Sequence, residues 1–178
     1  MPADKVYILL VNWNGWGDTI ECLESIFRIG YGSYKVIVCD NDSKDGSLEK
    51  IKLWADGRLN SYVEKNSPLR HMSWPPVEKP LRYVEYEQGK AVCGGDVDGA
   101  DASLILIQTG GNLGFAGGNN VGLQYAKSRD DFEYVWLLNN DAVIDKNALS
   151  ALVARVNEKP GCGMCGSTLL ARQQNLWW

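Results

Sequence analysis

Histidine is nearly absent: one residue, His71, in a chain of 178. That scarcity excludes a metal centre built from several imidazoles. Cysteine is little help either. The five thiols (Cys22, Cys39, Cys93, Cys162 and Cys165) are odd in number and scattered, so no disulfide framework is legible and reduced cytosolic thiols are expected. Cys162-Gly163-Met164-Cys165 is a lone CxxC with no second pair, and packing cysteines are the expected reading. Basic residues are not in excess. The net charge of -4 and pI of about 5.0 argue against a broad nucleic-acid surface, which needs a basic face. No apolar run approaches the roughly 20 residues of a membrane span. Met1 to Lys5 lacks the basic start and long apolar core of a secretory signal. The chain reads as soluble and cytoplasmic. A P-loop and internal repeats are also missing.

What is present is a succession of apolar runs that stop abruptly on polar residues. The clearest is Tyr134-Val135-Trp136-Leu137-Leu138-Asn139-Asn140-Asp141, an apolar run long enough for a buried strand that ends on two amides and a carboxylate. Asn and Asp also favour ordinary turns, so this stretch alone leaves both readings open. Val6 to Val11 is a second such run, ending at Asn12-Trp13-Asn14-Gly15-Trp16-Gly17. Asp18 or Thr19 is the expected cap of the helix that follows, with Ile20, Leu23, Ile26 and Phe27 inward and Gly30 and Gly32 as its stop. Val36 to Cys39 is a third run, ending at Asp40-Asn41-Asp42-Ser43, before a helix with Leu48, Ile51 and Leu53 or Trp54 inward.

From Ala55 to about Ala102 the pattern breaks. Pro68, Pro75, Pro76, Pro80 and Gly94-Gly95 fall here, and only Leu81 to Glu87 alternates like an exposed strand. The segment reads as an insertion, with a flap over the binding edge as one use for it. Regularity returns at Leu104 to Ile107, which runs into the glycine-rich stretch Gly110 to Asn120 and a helix through Val121, Leu123 and Tyr125. Asp145 is the expected cap of a helix carrying Leu149, Leu152, Val153 and Val156, and Pro160-Gly161 its stop. A last short strand is expected around Met164 to Leu170. Strands alternating with helices predict one α/β domain over 1–178, with a mostly parallel sheet flanked by helices.

In a parallel sheet the four polar strand ends share one edge, where open α/β sheets bind ligands. Carboxylates and amides there suit ribose hydroxyls and base edges. Trp13 or Trp16 offers a stacking face, and the glycines allow close backbone approach. A dinucleotide fingerprint fails because Ile20 stands where the third glycine is needed. The glycines of 110–118 suit either a phosphate at a helix N-terminus or a tight turn against the sheet. Asp96-Val97-Asp98 is a literal Asp-x-Asp, but it lies in the irregular insertion without a buried strand to aim it and reads as a solvated acidic loop. His71 and Trp74-Pro75-Pro76 read as surface loop. The negative net charge is a difficulty for a phosphate ligand, since two like charges about 4 Å apart cost about 4 kcal/mol at an effective dielectric near 20.

Four ordered motifs together resemble the family 2 glycosyltransferases, and most of all their bacterial rhamnosyltransferase-like branch: Val11-Asn12-Trp13-Asn14; Val38-Cys39-Asp40-Asn41-Asp42-Ser43-Lys44-Asp45-Gly46-Ser47; Gly110-Gly111-Asn112-Leu113-Gly114-Phe115-Ala116-Gly117-Gly118-Asn119-Asn120-Val121-Gly122; and Trp136-Leu137-Leu138-Asn139-Asn140-Asp141. The resemblance implies a GT-A fold and inverting transfer of a hexosyl group from a nucleotide-diphospho-sugar (UDP-, dTDP- or GDP-linked) to a glycan or lipid-linked acceptor, as in polysaccharide biosynthesis. A cytoplasmic site, at the inner face of a membrane in some relatives, goes with it. Carried over, Val11, Asn12, Trp13 and Asp40 hold base and ribose. Asn112, Gly114, Phe115, Gly118 and Asn119 shape the donor floor. Asn139 and Asn140 face the donor, and Asp141 coordinates the Mg²⁺ or Mn²⁺ that bridges the diphosphate and relieves the charge difficulty. Asn139 departs from the family's usual first aspartate, which leaves one protein carboxylate for the metal. The general base on the acceptor hydroxyl is expected beyond Trp178, so the chain reads as the donor half of a longer enzyme. A non-catalytic interaction or regulatory module keeping the same fold is the alternative, and a dinucleotide-dependent oxidoreductase a distant third.

Overall fold

The computed structural model describes residues 4–61, 63–159 and 161–168. Five strands form one sheet: β1 (Val6–Asn12), β2 (Tyr34–Asp40), β3 (Tyr83–Glu87), β4 (Leu104–Gln108) and β5 (Tyr134–Asn139). Their spatial order is β3-β4-β2-β1-β5 and all four pairings are parallel. The three central strands are three of the four apolar runs. Ile8, Leu9, Leu10, Ile37, Val38, Leu104, Ile105 and Leu106 have no exposed surface, as expected for parallel strands covered on both faces.

Strand alternation divides these residues between two cores. On one face Ile8, Leu10, Val36, Val38 and Leu106 pack against α1 (Trp16–Ile26), α2 (Ser47–Ala55) and α6 (Ala148–Asn157) through Ile20, Leu23, Ile51, Trp54, Leu149 and Val153. On the other, Tyr7, Leu9, Ile37, Cys39 and Ile107 pack against α5 (Gly114–Arg129) through Val121, Tyr125 and Ala126. The loops after β1 and β2 therefore turn to one face and the loop after β4 to the other. Where neighbouring strands send their loops opposite ways, a crevice opens at the carboxyl ends. Here it lies outside Asp40 and Gln108, which are Cα partners in the β2–β4 ladder.

Several boundaries differ from the sequence reading. Helix α1 begins at Trp16 with Gly15 in the capping position and ends at Ile26, and neither Asp18 nor Thr19 caps it. The Thr19 hydroxyl is used elsewhere, on Asn12. Likewise α6 begins at Ala148. Asp145 stands upstream of it, its carboxylate accepting the Asn147 N–H at 2.8 Å. Helix α5 begins at Gly114, so the second half of the glycine-rich stretch is helical and not loop. Glycine disfavours helix, but packing overrides propensity here. A Cβ on Gly118 would sit 2.8 Å from Val11 Cγ1, and one on Gly122 2.9 Å from Leu9 Cδ2. These two positions let the helix axis approach the sheet.

Strand β5 is an edge strand, half-buried at best, with Leu137 47% exposed, and not the buried strand its apolar run suggests. Along it lies an apolar groove of about 430 Å³, walled by Val135, Leu137, Leu152, Val156 and Met164. Residues 161–168 form no strand, and the remainder of the expected last strand, with the terminal tryptophans, lies outside the described residues.

The segment from 55 to 102 contains α3 (Arg70–Ser73), β3, α4 (Gln88–Ala91) and a short 3₁₀ turn at Val97–Ala100. Its first part straps the outer side of α1. The fully buried Glu24 accepts Trp54 Nε1, the Val77 N–H and Lys79 Nζ, each at 2.7 Å, and Ser73 Oγ reaches Glu21 at 3.2 Å. These bonds tie the segment to helices α1 and α2. Asp96 of the Asp-x-Asp pairs with Lys90 and accepts the Tyr86 hydroxyl at 2.6 Å. Those two hydrogen bonds hold its carboxyl down at about 2.

Candidate functional site

The carboxyl edge is organised by a directional hydrogen-bond relay. Asn140 Nδ2 donates to Thr19 Oγ1 at 2.9 Å, and Thr19 Oγ1 donates to Asn12 Oδ1 at 2.8 Å. Asn12 Nδ2 in turn donates to Asp40 Oδ1 at 2.6 Å. Each donor is used toward the carboxylate, which fixes the orientation of both amides. Four elements meet in this relay: the ends of β1, β2 and β5 and the first turn of α1.

Asp40 is where the relay ends. Besides Asn12 it accepts Ser43 Oγ at 2.7 Å, the Ser43 N–H at 3.0 Å and Gln108 Nε2 at 3.3 Å. A buried carboxylate is tolerated when its lone pairs are filled in this way. Asp40 is 1% exposed, so its main work is to shape the loop after β2. Ser43 Oγ also accepts the Asn14 N–H at 2.8 Å, which locks the β1 turn to the β2 turn. Asn14 and Asp42 hold φ of 52° and 57°, the left-handed region that Asn and Asp tolerate better than most residues.

The floor of the crevice joins this network from the other face. Asn41 Nδ2 donates to the Gly114 carbonyl at 3.0 Å, at the start of α5. Asn112 Oδ1 accepts the Gly114 N–H at 2.9 Å, and Gly114 itself has φ of 68°. Gly118 is buried, with a virtual Cβ 3.0 Å from Asn41 Oδ1. The next residue, Asn119, is 3% exposed; its Nδ2 donates to the Phe115 carbonyl at 2.9 Å while its Oδ1 has no partner among the described residues. Around this polar floor stand exposed apolar side chains: Trp13 at 57%, Phe115 at 55% and Leu113 at 43%. Large apolar groups held out at a sheet's carboxyl edge are available to stack on a planar or sugar ligand.

Of the residues singled out in the sequence, Asn12 and Asp40 are joined directly and Asn140 joins them through Thr19, while Val11, Gly114 and Gly118 adjoin them through Asn41 and α5. Trp13, Asn112, Phe115, Asn139 and Asp141 are exposed around them. The Asn139 carbonyl accepts the Cys22 thiol at 3.7 Å, beneath α1. Burial foremost, then the nearby charges of Asp141 and Glu21, pushes that thiol's pKa up, which places Asp141 on the α1 side of the edge. Thr19, Asn41, Ser43 and Gln108 were not singled out as site residues. Thr19 looked like a helix cap, and Gln108 lies one residue past the apolar run that marked its strand.

Of the CxxC cysteines, Cys162 Sγ lies 3.3 Å from the Met164 carbonyl and Cys165 Sγ 3.8 Å from that of Leu152. Among the described residues no three or more His, Cys, Asp or Glu side chains gather as a metal site. None of their helices is long and apolar enough to cross a membrane.

Comparison with known proteins agrees with this arrangement over part of the chain. Residues 91–178, just under half, match the model of a family described as glycosyl transferase family 2. No curated protein matches the chain. The matched part holds β4, α5 with its glycines, β5 and the Asn139–Asp141 turn, while Asn12 and Asp40 lie outside it. Together with the all-parallel five-stranded sheet, the match supports family 2 and a GT-A-like nucleotide-sugar transferase fold.

Proposed function

We propose, from the family 2 match and the strand-end network, that this chain carries the donor side of a glycosyl transfer reaction. The observation that carries the reading is the relay from Asn140 through Thr19 and Asn12 to Asp40, which builds one polar crevice from three strand ends. In it, Val11, Asn12, Trp13 and Asp40 surround base and ribose of a nucleotide-diphospho-sugar. Asn12 and Asp40 act by fixing the turns, and Trp13 by stacking. Asn112, Gly114, Phe115, Gly118 and Asn119 form the floor, where the first turn of α5 presents backbone N–H groups toward the diphosphate. Asn139 and Asn140 flank it.

Asp141 is a lone exposed carboxylate, and that donor set fits Mg²⁺ or Mn²⁺ arriving with the diphosphate, because such cations bind through one or two carboxylates plus substrate phosphates. Bound there, the cation neutralises charge on the leaving nucleotide. Inverting transfer of a hexosyl group, rhamnosyl among them, to a glycan or lipid-linked acceptor at the cytoplasmic face of a membrane is the fuller form of the proposal. Calorimetry with UDP-, dTDP- and GDP-sugars in the presence of Mn²⁺ tests it: saturable binding of at least one donor is expected, and silence across the panel contradicts it.

One observation favours a second reading, a non-catalytic module. The edge strand β5 leaves Leu137 exposed beside an apolar groove, and such edges invite association. Sedimentation velocity separates the two: a module that works by association through β5 forms a dimer or larger species, whereas a donor-binding monomer does not.

A further inference from the structure

A second concavity, of about 500 Å³, lies in the strap outside α1 and shares no residue with the strand-end network. Its lining includes Ser61, Glu64, Lys65, Asn66, Arg70 and Trp74. Arg70 is held in place from two sides. Its Nη1 donates to the Val63 carbonyl at 2.7 Å, and its guanidinium carbon stands 4.4 Å from the Trp74 ring centroid. Its remaining N–H groups have no acceptor among the described residues, and the Lys65 ammonium makes no ion pair there. Ser61, 6% exposed, closes one side of the concavity.

The charges select the kind of ligand. Two cations face one carboxylate, that of Glu64, in a protein whose net charge is -4, so the basic character is local. A guanidinium with its plane fixed by an aromatic ring offers the fork that carboxylates and phosphates accept two hydrogen bonds from. The volume is that of a small-molecule site, with room for more than a bare oxyanion. We propose that this concavity is a second ligand site, which takes a small organic anion by its phosphate-monoester or carboxylate group on Arg70 and Lys65, with Asn66 pairing a hydroxyl of the ligand. It is independent of the donor reading: failure of either leaves the other standing.

Amide NMR titrations of the whole chain with glucose 6-phosphate, glucuronate and neutral glucose test the site. Saturable shifts among the amides of 61–74 with either anion, undisplaced by excess UDP, are expected, and the anion that binds tighter identifies the group recognised. R70Q should weaken binding about tenfold and K65Q about threefold, as loss of charge-assisted hydrogen bonds implies. Lys65 is exposed and bonds to no described residue, so K65Q keeps the test valid if R70Q loosens the strap by releasing Val63. No saturable shift with either anion, shifts equal to those from neutral glucose, or unchanged affinity in K65Q would overturn the proposal.

Discussion

Asn12 and Asp40 are Cα partners on adjacent strands, and their side chains meet at 2.6 Å at the carboxyl edge of the sheet. The ladder places them side by side, and the relay turns that adjacency into a rigid joint between two loops. Removing the acceptor strands four neutral donors, at about 1–3 kcal/mol for each that stays buried and unpaired, so Asp40→Ala should cost about 3–5 kcal/mol. Asn12→Ala should cost less, about 1–3 kcal/mol, since Ser43 and Gln108 still fill the carboxylate. Urea unfolding of the two single variants and the double variant checks both values. The double should lose less than the sum because the two share one bond. Strict additivity contradicts the joint.

Gly118 of α5, set against Gly17 of α1, gives a prediction with an internal control. Ala normally stabilises a helix over Gly by about 1 kcal/mol. Gly17→Ala, where a Cβ meets nothing within 4 Å, should gain about that much. Gly118→Ala drives a methyl to within 2.8 Å of Val11 and 3.0 Å of Asn41, and should lose about 1–3 kcal/mol while weakening donor binding. Opposite signs in urea melts are the expected outcome. A gain in both would mean that α5 does not need its close approach.

Buried thiols and phenols set the alkaline limit. Burial raises Cys39 to about 12 and pushes Cys22 up as well, the latter helped by Asp141 and Glu21. Burial also lifts Tyr34 and Tyr125 to about 12. A group raised on folding contributes stability that is whole below its unfolded pKa, about 8.5 for a thiol and about 10 for a phenol, and is lost as pH climbs toward the folded value. The urea midpoint should therefore hold steady from pH 7 to 8 and fall steadily from about pH 9. In the folded protein at pH 8, a thiol reagent should modify the exposed Cys93 and spare Cys22 and Cys39 until unfolding. A midpoint flat to pH 10.5 contradicts the assignment.

The central strands were legible because both their faces are buried, which writes them as unbroken apolar runs. The polar residues that end β1, β2 and β5 were legible for the same reason, as sharp changes in composition. Asn12, Asp40 and Asn140 could therefore be named from the chain alone. Thr19 could not, because a threonine near a helix start looks the same whether it caps that helix or bridges two asparagines of different strands. The start of α5 was hidden by its own glycines, whose low helix propensity is outweighed by contacts with Val11 and Leu9 that no local pattern announces. β5 misled in the other direction. Its composition is that of a buried strand, while its position at the sheet edge depends on what packs beside it.

The metal assignment depends on a single side chain. Asp141→Ala should abolish the Mn²⁺-dependent part of donor binding, at least about tenfold in affinity, and leave the free energy of unfolding in urea within about 0.5 kcal/mol of wild type because the residue is exposed. Equal affinity with and without Mn²⁺ in wild type and variant alike contradicts the assignment.

Anomalous scattering from a crystal grown with Mn²⁺ and the tightest-binding nucleotide-sugar tests the strand-end site most directly. One strong manganese peak at the Asp141 carboxylate is expected, with the nucleoside over Trp13 and the turns that Asn12 and Asp40 hold. A manganese peak away from Asp141, or a nucleotide seated away from the ends of β1 and β2, would contradict it.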